Sequence, residues 1–242
     1  MTIPTPKMLI FDYGGTLAHE PKTDSLRGYE ALFKHVTHNP RGITAAEFNA
    51  FATPLFHVMW EKRHMGYEHH EWQFMRFTLE YMQLELGISI EEAERVFWDN
   101  AAAAIPMPNI NKLLSHLQTK NIRTAVISNI SYSGIALERR ISELLPMHNF
   151  EFMLATSEYI IRKPNPMIFE LACRKANLTA ADCWYCGDSI KADLEGSHSA
   201  GLFPVWHDSD VYPSPWRDKE TELAPSFPHL HIRNWLEVLE LL

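Results

Sequence analysis

The chain has 242 residues, of which 46% are hydrophobic and 21% charged, and its formal net charge at pH 7 is −8. This length and composition are typical of a soluble globular protein with one large α/β domain, or with a core domain and a smaller insertion. The acidic balance argues against nucleic acid or an anionic membrane surface as the main partner, although a locally basic site could still bind a phosphorylated small molecule.

Targeting signals and cysteine content indicate the compartment. The sequence lacks an apolar run of about 18 residues, and its first residues lack the basic head and apolar stretch of a secretory signal. The cysteines are few and odd in number, which favours a reducing cytoplasm. Cys183 and Cys186 form a C-x-x-C motif in a strand-like run, without a second Cys/His pair nearby, and we interpret them as buried core. We therefore expect a cytoplasmic protein with no membrane partner.

The first predicted element is a buried strand at Met8–Phe11, a short apolar run of the kind found in parallel sheets. It ends at Asp12 and is followed by Gly14 and Gly15. Ligands bind at the carboxyl ends of strands in open α/β sheets, and glycines let the backbone approach a ligand closely. The alternative is structural: Asp12 caps a helix and the glycines only make a turn.

Residues 19–104 are predicted to form a helical bundle inserted into a different fold. They are rich in aromatic residues, methionine and histidine, and poor in the Val/Ile runs of strands. Thr44 with Glu47, and Ser89 with Glu92, have the spacing of capping boxes. The predicted helices, with no strand between them, are Ser25–His38, Thr44–Arg63, Trp72–Leu86 and Ser89–Ala104.

From Met107 onward, alternating strands and helices predict a doubly wound parallel sheet, hence an α/β fold with a core of residues 1–18 and 105–242 and a helical cap of residues 19–104. The proline-rich residues 207–228 are predicted to be a surface loop. The predicted strands are Arg123–Ile127, Phe150–Ala155, Cys183–Cys186, Phe203–Trp206 and His229–Ile232. The predicted helices are Asn109–Lys120, Gly134–Leu145, Pro166–Ala176, Lys191–Ala200 and Asn234–Leu242.

Polar residues follow several of these strands. Ser128 and Asp188 each follow a predicted strand, Asp193 lies five residues after Asp188, and Lys163 lies just before a helix. Each residue alone has an ordinary interpretation as a helix cap or a solvated side chain. Together with Asp12, they supply carboxylates, a hydroxyl and a cation at one edge of one sheet.

In this order, these motifs resemble those of the haloacid dehalogenase-like superfamily, whose commonest members are phosphatases. The resemblance covers essentially the whole chain, and residues 19–104 look like the C1-type cap of that family. The motifs that carry it are Asp12-Tyr13-Gly14-Gly15-Thr16-Leu17, then Ser128, then Lys163-Pro164, and finally Gly187-Asp188-Ser189 with Asp193.

The resemblance implies Mg²⁺-dependent hydrolysis of a small phosphorylated metabolite, in which Asp12 is the nucleophile and forms an aspartyl-phosphate. Mg²⁺ prefers oxygen ligands. The implied metal site comprises Asp12, the Gly14 carbonyl, Asp188 and Asp193, the last as a ligand or an outer-shell partner. The implied catalytic residues are Asp12, Ser128 and Lys163, and the implied substrate-binding residues are Thr16, Ser128, Asn129 and Lys163.

One position departs from the family pattern. Family phosphatases carry a second aspartate two residues after the nucleophile, where this chain has Gly14, which cannot transfer a proton. General acid–base help is typically worth about 10²–10⁴ in rate. A histidine of the cap or next to it could replace the missing aspartate as the acid, although the ordinary interpretation of these histidines is a solvated helix face. The candidates are His19, His35, His57, His64, His69 and His70. The aromatic residues Trp60, Tyr67 and Trp72 either line a pocket or belong to the cap core.

Four other functions stay open at this stage. Gly187-Asp188 argues against metal-free dehalogenation, and Gly14 argues against the reaction of a phosphosugar mutase. Phosphonate cleavage would need a cap lysine, and nothing in the sequence singles out one of Lys22, Lys34 and Lys62. A phosphate-binding or regulatory protein is favoured by Gly14, whereas the intact Asp12 argues against it.

Overall fold

A computed structural model describes residues 5–211 and 225–242. Its strands are, in chain order, β1 (Met8–Phe11), β2 (Ala18–His19), β3 (Val36–His38), β4 (Glu85–Leu86), β5 (Ile105–Pro106), β6 (Arg123–Ser128), β7 (Phe150–Ala155), β8 (Cys183–Gly187), β9 (Phe203–His207) and β10 (Leu230–Ile232). Its α-helices are α1 (Ser25–Phe33), α2 (Ala45–Lys62), α3 (Glu71–Met82), α4 (Ile90–Ala101), α5 (Ile110–Thr119), α6 (Gly134–Leu144), α7 (Pro166–Ala176), α8 (Gly196–Ser199) and α9 (Trp235–Leu241). Within the described ranges, every helix is too short or too polar to cross a bilayer.

The central feature is a six-stranded parallel sheet in the order β10-β9-β8-β1-β6-β7. Strand β1 lies inside it, and Phe11 pairs with Val126 of β6 on one side and with Cys186 of β8 on the other. Because the three strands run in the same direction, their carboxyl ends meet at one edge. The predicted doubly wound parallel sheet is confirmed.

Helices cover both faces of this sheet, as the alternation of side chains along a strand requires. Leu9 and Phe11 of β1 pack in the layer with α5, α6 and α9, whereas Met8 and Ile10 pack in the layer with α7. In β8, Cys183 belongs to the α7 layer and Cys186 to the opposite layer. The two thiols of the C-x-x-C motif therefore lie on opposite faces of the sheet.

Helices α1–α4 form an inserted helical cap with an apolar core of its own, which includes Tyr29, Phe48, Met75 and Phe97. The chain enters and leaves this unit through the antiparallel pair β2–β5. The boundaries that we predict for the cap, 19–104, fall beside this pair and stay a prediction. Thr44 caps α2 with the complete capping box, in which it exchanges hydrogen bonds with Glu47.

The prediction of an uninterrupted helical cap was wrong at β3 and β4, which pair antiparallel. The helix predicted for Ser25–His38 ends at Phe33, and the one predicted for Trp72–Leu86 ends at Met82. Gln83 ends α3 because it adopts the left-handed conformation, with φ of 58°.

A second correction concerns the helix predicted for Lys191–Ala200. This segment starts as a π-helical turn at Ile190–Glu195 and continues as α8. The amides of Asp193 and Leu194 both donate to the carbonyl of Ser189, so the wider turn begins where Asp193 is positioned. The loop predicted for 207–228 lies in part outside the described residues, which omit 212–224.

Candidate active site

Lys163 joins the polar residues at the carboxyl edge of the sheet. Its Nζ donates hydrogen bonds to Asp12 Oδ1, Asp193 Oδ1 and the Tyr185 hydroxyl, each at 2.7 Å. The Tyr185 hydroxyl in turn donates to the carbonyl of Ile127 at the end of β6. The ammonium thus uses its three donors inside the protein, between two buried carboxylates.

The charges of this cluster depend on one another. Burial raises the pKa of Asp12 to about 6, and Asp193 adds to the rise while Lys163 opposes it. Burial alone would lower the pKa of Lys163, but Asp12 and Asp193 outweigh burial and raise it. At neutral pH, the ammonium is therefore charged and Asp12 is mainly a carboxylate.

Three carboxylates come close enough to hold a cation. Ligand oxygens of Asp12, Asp188 and Asp193 all lie within 4.8 Å of one another. An all-oxygen donor set fits a hard divalent cation such as Mg²⁺. Asp193 already accepts from Lys163 through Oδ1 and from the Ser189 amide through Oδ2, at 3.0 Å. These bonds favour an orienting role for Asp193 over direct ligation.

The two glycines after Asp12 have different surroundings. Gly15 has a φ of 70°, and a Cβ there would overlap the Asp188 carboxylate. A Cβ on Gly14 would meet no atom within 4 Å, and Gly14 lines the cavity described below. The structure thus needs glycine at position 15, whereas position 14 has room for a side chain.

The other predicted substrate-binding residues differ in whether they line the cavity described below. Ser128 ends β6 and lines the cavity. Asn129 exchanges two hydrogen bonds of 2.9 Å with the backbone of Lys163, one through each end of its amide. Thr16 is fully buried, its hydroxyl has no hydrogen-bond partner in the described part, and it lies outside the cavity lining. Asn129 thus positions Lys163, and Ser128 and Asn129, unlike Thr16, both line the cavity.

A cavity of about 460 Å³ lies between this edge and the helical cap. That volume is in the usual range for a small-molecule site. Aromatic side chains line part of this cavity. The cap contributes Phe56, Trp60 and Phe74 among them, and the core contributes Tyr132. Of the other two aromatic candidates, Tyr67 is exposed, and Trp72 donates from its indole to Glu94.

The cavity also holds charged residues that the sequence analysis did not identify. Arg63 at the end of α2, Arg162 next to Lys163, and Glu71 at the start of α3 all line it. Glu68 lies outside the lining and forms ion pairs with both arginines. Burial raises the pKa of Glu71 to about 7, with the charge of Glu94 adding to the rise. The adjacency of Arg162 and Lys163 was the one signal available in the sequence.

The structure divides the candidate histidines into two groups. His19 and His57 line the cavity, whereas the other four lie outside its described lining. Burial lowers the pKa of His69 to about 4, so His69 is neutral at pH 7. His70 accepts from the Trp72 amide and thereby caps α3. The hypothesis of a histidine acid therefore narrows to His19 and His57.

Comparison with known proteins places these features in context. The family model of the haloacid dehalogenase-like hydrolases matches residues 6–201. A glyceraldehyde 3-phosphate phosphatase of Methanopyrus kandleri is 26% identical over 41% of this chain and 42% of that protein. One of Pyrococcus abyssi is 21% identical over 83% of this chain and 80% of that protein. A solved 2-haloacid dehalogenase of Pseudomonas syringae pv. Tomato DC3000 has a TM-score of 0.61 at 20% identity, over 98% of this chain and 97% of that one.

Proposed function

The chain belongs to the haloacid dehalogenase-like hydrolases, and on this premise we propose that it hydrolyses a small phosphomonoester through an aspartyl-phosphate on Asp12. The observation that carries the proposal is the cluster in which Lys163 bridges Asp12 and Asp193 beside Asp188, in the lining of a cavity that also has aromatic side chains in its wall. The relatives named as phosphatases support the same reaction class.

The cluster would hold Mg²⁺ through Asp12, Asp188 and the carbonyl of Gly14, with Asp193 orienting the site. Mg²⁺ would supply positive charge to the phosphoryl oxygens, which lets a carboxylate approach a dianionic ester. The ammonium of Lys163 neutralises charge on the same oxygens, and Ser128 donates a hydrogen bond to one of them.

The reaction then has two displacements. The Asp12 carboxylate forms a bond to phosphorus while the bond from phosphorus to the leaving oxygen breaks, and the leaving alkoxide takes a proton. Water next attacks the phosphorus of the aspartyl-phosphate, which releases inorganic phosphate and restores the carboxylate. Gly14 can assist neither proton transfer, so aryl esters and other good leaving groups should react best unless His19 or His57 supplies the proton.

The proposal also covers the location, the substrate and the partners of the protein. We propose a cytoplasmic location, a phosphorylated metabolite as the substrate and no nucleic-acid partner, on composition and on the names of the relatives. A second candidate is a phosphate-binding or regulatory protein, and the glycine at position 14 favours it. Phosphonate cleavage loses support because Lys22, Lys34 and Lys62 lie outside the described cavity lining.

Phosphate release from p-nitrophenyl phosphate, with Mg²⁺ and with chelator, tests the proposal. The parent should release phosphate only with the metal, and Asp12→Asn should lose more than about a hundredfold in kcat. Asp210→Asn is the matched control, because Asp210 is an exposed residue paired with Arg233. Unchanged activity in Asp12→Asn would contradict the mechanism. A parent that binds Mg²⁺ and phosphate without turning over any ester would instead support the binding protein.

A further inference from the structure

Two guanidinium groups, the buried one of Arg63 and the partly buried one of Arg162, line the cavity and share one carboxylate. Arg63 Nε lies 2.8 Å from Glu68 Oε1, and Arg162 Nη1 lies 3.4 Å from Glu68 Oε2. The side chain of Glu68 is fully buried, whereas both arginines face the cavity. Glu68 therefore orients the two guanidiniums from behind and leaves their cavity side available to a ligand.

The charges of this group do not balance. Two cations share one carboxylate, so these three side chains carry a net positive charge at the cavity wall. The charge of Glu71 also acts on Arg63, but burial raises the pKa of Glu71 to about 7, so it is only partly ionised at neutral pH. Burial also lowers the pKa of Arg63 to about 10, with the charge of Arg162 adding to the effect. A ligand anion would relieve this uncompensated positive charge.

The two arginines lie on the substrate side of the proposed nucleophile. Arg162 directly precedes Lys163 in the chain, and the negative charge of Asp12 acts on its guanidinium. Arg63 lies further into the cap, where its guanidinium stacks 4.0 Å above the ring of Trp60. Cations thus continue from the phosphoryl site at Lys163 along the wall of the cavity.

We propose that the substrate carries a second anionic group, a carboxylate or a second phosphate, which Arg63 and Arg162 bind while the scissile phosphoryl group lies at Asp12. This inference rests on the proposed function and specifies its substrate class. A planar guanidinium matches the geometry of carboxylate and phosphate oxygens, and burial strengthens the pairing. The aromatic side chains that line the same cavity suit an apolar or aromatic body.

Synthetic esters that differ in one group provide the test. We would measure kcat/KM for the 3- and 4-carboxyphenyl phosphates against the matching carbamoylphenyl phosphates, which are neutral and nearly isosteric. Phenylene 1,3- and 1,4-bisphosphates are the second arm, and they distinguish a phosphate from a carboxylate as the preferred anion. Phenyl phosphate serves as the reference ester without a second group.

The variants are Arg63→Gln and Arg162→Gln, and Arg123→Gln is the matched control. Arg123 pairs with Glu151 on the surface, at the opposite end of β6 from Ser128. Either cavity variant leaves a one-to-one pair with Glu68, so we expect it to fold, as circular dichroism would check. Arg63→Lys keeps the positive charge but lacks the planar pair of donors that a guanidinium offers. It replaces Arg63→Gln if that variant does not fold.

We expect the parent to prefer an anionic ester over its neutral counterpart by at least about tenfold, since a charge-assisted hydrogen bond is worth roughly this factor. The preference should fall to near unity in the cavity variants and persist in Arg123→Gln. The inference would be overturned, with the proposed function intact, by either of two results. One is a parent that hydrolyses phenyl phosphate but does not prefer the anionic esters over the neutral ones, and the other is a preference for anionic esters that persists in both cavity variants. A parent that hydrolyses none of the esters would overturn the proposed function and this inference with it.

Discussion

Lys163 Nζ lies 2.7 Å from Asp193 Oδ1, and each of the two side chains is 1% exposed. The two residues are held by different elements, Lys163 by the segment before α7 and Asp193 by the π-helical turn after β8. Asp193 thus fixes the ammonium that faces Asp12, so this ion pair links the stability of the core to the candidate active site.

The first prediction concerns Asp193→Asn. The variant keeps the shape of the side chain but leaves Lys163 with one anionic partner, Asp12, and the Tyr185 hydroxyl. We expect the free energy of unfolding to fall by about 1–3 kcal/mol, as for a hydrogen bond to a charged group. Urea denaturation measures this change, and kcat on p-nitrophenyl phosphate should fall with it. Unchanged stability would show that the pair contributes nothing net.

The second prediction restores a carboxyl group at position 14. Because a Cβ at Gly14 meets no atom within 4 Å, Gly14→Asp should fold and extend its carboxyl group into the cavity. We expect kcat on an alkyl ester such as glycerol phosphate to rise by at least about tenfold, within the range of general acid catalysis. Gly14→Asn is the control, since it has the same shape without an acid. Equal gains in both variants would exclude proton transfer as the cause.

The third prediction separates the effect of backbone strain from the effect of an overlap with Asp188 at the proposed metal site. Gly15 and Gly42 both have positive φ, but a Cβ would overlap Asp188 only at Gly15. Alanine at either position should lower the free energy of unfolding by about 1–2 kcal/mol. Gly15→Ala alone should also raise the Mg²⁺ concentration that gives half-maximal activity. Equal Mg²⁺ dependence in both variants would contradict the placement of the metal beside Asp188.

The fourth prediction concerns pH and Glu71. The pKa of this carboxyl rises from 4.5 to about 7 on folding, mainly through burial. Between these values the native state holds a proton that the unfolded state has lost, so this group makes stability fall as pH rises from about 4.5 to 7. The total effect is up to about 3 kcal/mol.

Glu71→Gln should remove that loss, and its stability relative to the parent should increase between pH 5 and pH 7.5. Urea denaturation at both pH values measures the difference. Glu80→Gln, an exposed position on the same helix, should show the same pH dependence as the parent. If Glu71→Gln also parallels the parent, the carboxyl group is ionised in the folded protein.

The ends of the strands were predictable because each apolar run stops where the chain leaves the sheet. Asp12, Ser128 and Asp188 follow such runs, and the parallel register brings these three residues to one edge. The π-helical turn at Asp193 was not predictable, since it depends on tertiary contacts that the helical periodicity of the sequence does not encode. Strands β3 and β4 are two or three residues long, too short for alternation to reveal them.

The arginines and glutamates in and behind the cavity wall were harder to predict than the strands. The helical pattern identifies the apolar face of each cap helix but not which charged residues become buried beside it. Glu68 reaches Arg162 and Thr156 of the core only after the cap packs on it, and Glu68 and Thr156 are 88 residues apart in the chain. Such contacts follow from the relative placement of two units, which no local pattern specifies.

The wide separation of Asp12 and Lys163 has a consequence for biosynthesis. These residues are 151 positions apart in the chain, and their side chains are hydrogen-bonded in the folded protein, where β1 lies between β6 and β8. On the ribosome, Asp12 emerges well before the lysine that neutralises it, and the whole cap is synthesised in between. A nascent chain can therefore complete the apolar core of the cap while Asp12, the proposed nucleophile, still lacks its counterion. Hydrolytic activity should therefore appear late in translation, after β8 and the Asp188 that follows it have left the exit tunnel.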